Sequence, residues 1–202
     1  YETNVIRDKL EEAGYRIVPF DSEADLAVIN TCTVTNAADA KSRNAIRRFT
    51  RVNPSAVTVV VGCYSQVGYK EIAEIPGVDY IIGNNDKLNF LDYLGEGKTD
   101  RPVIIRDRIE KEDFSISFVG DAPFDQRANL KIQDGCDFMC SFCIIPFSRG
   151  RARSRDFANL LEEAKSLVGR GVREFVLTGV NLGEYSNSGK GIAEVIDALG
   201  EI

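Results

Sequence analysis

Apolar positions along the chain alternate between helical and strand-like spacing. Ile6, Leu10 and Ala13 recur at helical intervals just ahead of Gly14, which predicts an amphipathic helix over Val5–Ala13. Leu26–Asn30 is a short apolar run between a polar stretch and Thr31, as expected of a central parallel strand. A second helix is predicted over Ala38–Arg51, with Ala45, Ile46 and Phe49 inward and Asn53-Pro54 as its stop. Val57–Val61, β-branched throughout and closed by Gly62, is the clearest strand. The cycle repeats with a strand at Tyr80–Ile82, a break at Gly83-Asn84, and a helix whose buried face is Leu88, Leu91 and Leu94. This rhythm implies βαβ units on a parallel sheet with right-handed crossovers. Residues 1–95 are therefore expected to form a small doubly wound α/β domain.

From 96 to 127 the pattern weakens to charged and turn-forming residues around a short Val103–Ile105 strand and an alternating Phe114–Val119 stretch, read as a linker or edge hairpin. A second α/β pattern occupies 128–202. It comprises a strand at Ala128–Ile132, a cysteine-bearing loop, a helix over Phe157–Val168 with Leu160, Leu161, Ala164 and Leu167 inward, a strand at Glu174–Leu177 and a helix over Ile192–Leu199. Successive βα units with chemistry in the loops after the strands are the opening of a (β/α) barrel. The chain starts with Tyr1 and stops at Ile202 directly after an apolar-periodic segment, so it reads as cut at both ends.

Composition narrows the chemistry. With 202 residues, 44% of them hydrophobic, the chain is long enough to bury one large core or two modest ones. Its longest apolar run, Ala56–Val61, is far too short to cross a bilayer, which points to a soluble, cytoplasmic protein without a membrane partner. A formal net charge of −6 argues against nucleic-acid binding through the whole surface and leaves only local basic patches for it. Histidine is absent, which removes mixed Cys/His zinc sites, histidine general bases and Ser-His-Asp triads. Oligomeric state is not legible.

Three of the five cysteines fall in the eight residues Cys136-x-x-x-Cys140-x-x-Cys143. Clustered thiolates favour iron-sulfur clusters or zinc over a disulfide framework in a reducing compartment. Closed structural zinc wants four protein ligands, and this loop supplies three; Cys32, Cys63 or a partner chain would have to complete it. Three thiolates on a [4Fe-4S] cube leave one iron open, and in radical S-adenosylmethionine (SAM) enzymes that iron chelates the amino and carboxylate groups of SAM. Buried packing cysteines are the third reading. Arg149, Arg151, Arg153 and Arg155 alternate with small residues after the loop, which in an extended segment puts four guanidinium groups on one face. Lys41, Arg43, Arg47, Arg48 and Arg51 form a second basic set on one helix, read as a solvated face.

The run Gly135–Pro146 followed by Arg149–Arg155 resembles the radical SAM signature of the methylthiotransferase family. Tyr1–Asn4, Asn30–Thr35, Lys41-Ser42-Arg43 and Gly62–Gln66 resemble that family's first domain in the same order, so the resemblance covers nearly the whole chain. It implies a radical SAM (β/α) partial barrel after the first domain. It also implies two [4Fe-4S] clusters, SAM and an external electron donor. Cys136, Cys140 and Cys143 would ligate the cluster that binds SAM. Cys32 and Cys63 would ligate an auxiliary cluster, whose third cysteine in the family lies upstream of the position of Tyr1; a small RNA-binding domain follows the barrel.

The resemblance further implies that Phe142 packs on the adenine of SAM. Thr178, Gly179 and Asn181 would meet its methionine end, and Arg149 a SAM carboxylate or tRNA phosphate. Tyr1–Thr3, Lys41–Arg48 and Leu177–Gly183 look most like the branch that modifies N6-threonylcarbamoyladenosine at position 37 of tRNA, adding a methylthio group to C2. Related branches act on isopentenyladenosine in tRNA or on a ribosomal protein, and a non-catalytic iron-sulfur or zinc module is the reading from another class.

Overall fold

A computed structural model describes residues 1–95, 97–116 and 127–202. It divides into two compact units, one of residues 16–109 and 141–149, the other of residues 1–15, 110–140 and 150–202.

In the unit of residues 16–109 and 141–149, the β-branched runs form a parallel sheet of strands β1 (Leu26–Thr31), β2 (Val57–Gly62), β3 (Tyr80–Ile82) and β4 (Val103–Ile105), lying in sequence order. No reversal of winding direction occurs among these described strands. Val59, Val60 and Val61 of β2 are fully buried, as a strand covered on both faces must be. Burying each such side chain contributes roughly 1.5–3 kcal/mol relative to exposure. Strand β1 alternates between half-buried and buried positions. Helix α2 (Asn36–Val52) lays Ile46 and Phe49 on Ala27 and Ile29 of β1. Its N-cap Thr35 accepts a hydrogen bond from Ala38 N at 3.1 Å, and Asn53 N closes its end on Phe49 O.

The strand expected at Val103–Ile105, in the stretch read as a linker or edge hairpin, is present as the fourth strand of the sheet, in register with Tyr80–Ile82; its pattern is weak because Val103 and Ile104 stay exposed at an edge. One local expectation is corrected in this unit. The helix with Leu88, Leu91 and Leu94 inward is reduced to one 3₁₀ turn, Phe90–Tyr93, in which Phe90 is buried and the three leucines are half-buried. The sheet's amino-terminal edge holds a buried carboxylate. Asp79 accepts from Thr58 N at 2.8 Å, Thr99 N at 2.9 Å and Lys98 Nζ at 3.1 Å, which offsets the cost of its desolvation.

In the other unit, β5 (Arg127–Lys131) pairs in parallel with β8 (Glu174–Thr178), joined through helix α6 (Phe157–Gly169). Two-residue strands β6 (Gln133–Asp134) and β7 (Arg153–Ser154) pair antiparallel. Leu130, Ile132, Leu160, Ala164, Tyr185 and Val195 form the core, Val195 coming from α7 (Ile192–Gly200). Helix α1 (Glu2–Glu12) belongs to this unit despite preceding the four-stranded sheet in sequence. Glu2 pairs with Lys131 at 2.6 Å, and Tyr1 Oη donates to Glu163 at 3.3 Å. Burial and then the Glu163 carboxylate raise the Tyr1 phenol well above its ordinary pKa. Helix α1 is predicted correctly in place, but Val5 and Ile6 are its buried residues and Ala13 is exposed. Of the Phe114–Val119 stretch, residues 117–119 lie outside the described residues.

No helix among the described residues is long and apolar enough to cross a membrane.

Candidate metal centre

In parallel α/β sheets the loops at the carboxyl ends of the strands carry the chemistry. Cys32 follows β1 directly and Cys63 follows β2 directly, and the register pairs Thr31 with Gly62. Both cysteines therefore leave the same sheet edge from adjacent strands, whose spacing is about 4.8 Å. Gly62 makes this possible: its φ is +100°, and a Cβ there would sit 2.6 Å from Thr31 O and Asn30 Oδ1. Cys32 is exposed; Cys63 is 2% exposed and opens helix α3 (Cys63–Val67). Asn84, just beyond β3 at the same edge, donates from Nδ2 to Cys63 Sγ at 3.7 Å.

The downstream cysteine loop begins in the unit that contains β5. Gly135 has φ +72° and a Cβ on it would lie 2.0 Å from Arg151 O, so the chain returning from the loop passes against bare backbone. Cys136 N donates to Gly150 O at 3.2 Å. Asp137 ties the same return. Its carboxylate accepts from Ala152 N at 3.1 Å and pairs with Lys111 at 2.7 Å and Arg151 at 3.5 Å. The Lys111 hydrogen bond, then that from Ala152 N, hold its carboxyl below the ordinary range. Met139 takes φ +38°, a conformation that side-chain-bearing residues avoid, between Cys136 and Cys140. Cys136 is half-buried and Cys140 exposed. Cys143, half-buried, and Phe142, 90% exposed, belong to the segment 141–149 of the other unit, with Arg149 closing helix α5 (Ile145–Arg149).

Gln133 organises the base of the loop. Fully buried, it accepts from Val180 N at 2.9 Å and Asn181 N at 2.8 Å through Oε1 and donates to Gly135 O at 2.8 Å and Asp134 O at 3.0 Å through Nε2. One side chain thus fixes both the approach to Cys136 and the turn Gly179–Asn181 after β8. Gly179 keeps this turn close-packed: a Cβ there would meet Leu182 Cδ2 at 2.8 Å and Gln133 at 3.0 Å. Thr178 Oγ1 donates to Leu130 O at 3.1 Å. Beside Asp137 an open cleft of about 630 Å³ is lined by Lys111, Asp113, Asp137, Glu184 and Tyr185.

All five thiols are free. Among the described residues no three His, Cys, Asp or Glu side chains converge on one point as they would around a metal ion. The donor chemistry nevertheless fits a thiophilic cluster: three free sulfurs, each at least partly accessible, on a loop shaped by Gly135 and Met139.

Two family models match the chain, that described as Uncharacterized protein family UPF0004 over residues 1–83 and that of the Radical SAM superfamily over residues 130–200. A threonylcarbamoyladenosine tRNA methylthiotransferase MtaB of Bacillus subtilis is 43% identical over 196 residues, covering 94% of this chain and 43% of that protein. Residues 1–83 and 130–200 thus carry these two family domains, and over nearly its whole length the chain is similar to radical SAM methylthiotransferases. A second relative, the MtaB of Aquifex aeolicus, is 39% identical over 92% of this chain and 46% of its own length. The chain spans less than half the length of these curated relatives. In fold it is similar to the radical SAM methyltransferase TsrM of Kitasatospora setae, with a TM-score of 0.62 at 15% identity, over 100% of this chain and 48% of that one.

The alternating arginines are reassigned by their contacts. Arg155 is fully buried, bonded to Glu163 and, at 2.8 Å, to Asn159; Arg153 pairs with Asp134 at 3.5 Å. The strand needed for one cationic face, β7, lasts only Arg153–Ser154. In α2, Arg43 donates to Tyr64 Oη at 2.7 Å and Arg48 pairs with Asp21 at 2.9 Å, so part of that basic set is engaged in the fold. Sequence reading missed Gln133, Asp137 and Asn84. The one local signal was the position of each directly beside a strand end or a cysteine.

Proposed function

We propose that the protein containing this chain is a cytoplasmic tRNA-modifying methylthiotransferase, adding a methylthio group to C2 of N6-threonylcarbamoyladenosine at position 37. The observation that carries this reading is the trio of free, accessible thiols Cys136, Cys140 and Cys143 in a chain whose relatives bear that name. Those three are assigned to a [4Fe-4S] cluster with an open iron for SAM, and Cys32 and Cys63 to a second cluster. When bound, cluster and SAM, with an external electron donor, supply a carbon radical able to remove hydrogen from C2.

The chain's own residues supply position. Gln133 and Asp137 hold the two limbs of the cysteine loop, and Gln133 also holds the Thr178–Asn181 turn, where Thr178, Gly179 and Asn181 are assigned to the methionine end of SAM. Exposed Phe142 is assigned to stack on the adenine, and Arg149 to pair a carboxylate or phosphate. Radical transfer demands near-contact distance, and pinned loops hold the reacting groups to a fixed position.

The test is chemical. Full-length protein reconstituted anaerobically is given SAM, a reductant and tRNA carrying threonylcarbamoyladenosine, and the digested nucleosides are weighed by mass spectrometry. A methylthio adduct of that nucleoside supports the assignment; an adduct only on isopentenyladenosine tRNA, or none, overturns it.

A further inference from the structure

In the four-stranded unit the side chain that faces Cys63 comes from the carboxyl end of the next strand but belongs to no assigned ligand. Asn84 is 6% exposed and every polar atom of its amide is engaged. Its Oδ1 accepts from Lys87 Nζ at 2.8 Å, and Lys87 is itself 3% exposed. Its Nδ2 donates both to the carbonyl of Ser148 and, at 3.7 Å, to Cys63 Sγ. Lysine can only donate and a carbonyl can only accept, so these two partners fix which end of the amide is nitrogen. The N–H edge is therefore the one turned to the sulfur. The backbone adds rigidity: Asn84 N donates to Gln66 Oε1 at 3.0 Å, and Gly83 carries no Cβ because one would sit 2.3 Å from that same oxygen.

We infer that Asn84 is a positioning residue for the metal-bound Cys63 thiolate, a donor held by Lys87 and Ser148 that orients this sulfur and tunes the potential of the cluster it ligates. The inference rests on the assignment of Cys63 to an iron-sulfur cluster. An N–H donor 94% removed from water keeps its full electrostatic effect on a thiolate, and hydrogen bonds to cluster sulfurs are one of the levers that set reduction potential. Because such a bond strengthens as electron density on sulfur grows, it favours the reduced cluster. Ser148 lies in α5, which packs against α3, the helix that Cys63 begins. Asn84 thus joins the Cys63 ligand to the segment that follows Cys143 within one compact unit.

The experiment uses full-length protein with Cys136, Cys140 and Cys143 replaced by alanine, so that only the other cluster is loaded. Midpoint potential is read by a reductive titration followed by electron paramagnetic resonance, and iron release to a chelator is timed. Asn84→Leu removes the donor while keeping the number and branching of the side-chain heavy atoms. Asn84→Asp keeps the acceptor for Lys87 but turns an oxygen to the sulfur, and serves if the leucine variant fails to fold. Both are expected to load iron, to titrate at a more negative potential than the parent, and to release iron several-fold faster, with the aspartate variant shifted further. Lys87→Met, which frees the amide to rotate, is expected to move the potential in the same direction by less. Potentials and release rates equal to the parent's in the Asn84 variants overturn the inference while Cys63→Ala still loses the cluster. Full iron retention in Cys63→Ala instead removes the ligand assignment beneath it, and the inference with it.

Discussion

Replacing Gln133 by leucine, nearly its equal in volume, removes four hydrogen bonds at the base of the cysteine loop while leaving the packing of a fully buried side chain. The two backbone N–H groups of Val180 and Asn181 lose this acceptor, an oxygen at 2.9 and 2.8 Å, and two carbonyls lose a donor. A buried donor left unpaired costs about 1–3 kcal/mol. Val180 is 37% exposed, so water reaches part of this turn and the cost sits at the low end for its N–H. The sum is a loss of roughly 2–4 kcal/mol, most of it local to the two loops. Urea unfolding of wild type and variant at one pH measures it. Iron loading after anaerobic reconstitution should drop with it. A leucine variant within about 0.5 kcal/mol of wild type, with equal iron loading, would show that this amide does not organise the loop.

Gly135→Ala forces a Cβ to within 2.0 Å of Arg151 O in a left-handed backbone, so it should cost at least about 2 kcal/mol and sharply reduce iron loading through the Cys136 loop. Asp79→Ala leaves the buried Thr58 N–H without its 2.8 Å partner and should lower the stability of the four-stranded unit by roughly 2–3 kcal/mol in urea titrations, with Asp79→Asn costing less. Burial, then the Asp156 and Asp113 carboxylates, push the Tyr185 phenol up to about 12 from its usual 10. A raised folded-state pKa stabilises fully below the unfolded value and is lost above it, so stability should decline as pH climbs from 10 toward 12; Tyr185→Phe, measured by urea midpoints across that window, should flatten the decline.

The strands and long helices were legible because burial on a repeating period leaves a local trace. Val57–Val61 reads as β2 from β-branching alone, and α2, α6 and α7 appear within a few residues of the spans their apolar spacing predicts. Cys32 and Cys63 were legible as edge residues for the same reason: each follows a recognisable strand. What was not legible depends on partners distant in sequence. Glu163 reads as the polar side of α6 but is buried because it meets Arg155 and Tyr1, and α1 joins the β5 unit through Glu2 and Lys131. Leu88, Leu91 and Leu94 keep helical spacing, yet the segment forms one tight turn around Phe90. Gln133 and Asn84 look like ordinary polar punctuation after a strand; only the closed set of partners around each amide marks them.

The central claim concerns Cys136, Cys140 and Cys143, and its most direct test is SAM cleavage by the full-length protein after anaerobic loading with iron and sulfide. With dithionite as reductant, the account predicts 5′-deoxyadenosine from wild type and none when any one of these three cysteines is alanine, while Cys32→Ala and Cys63→Ala still cleave SAM. Tightly bound zinc at the three thiols with no 5′-deoxyadenosine, or cleavage that survives their replacement, would contradict it.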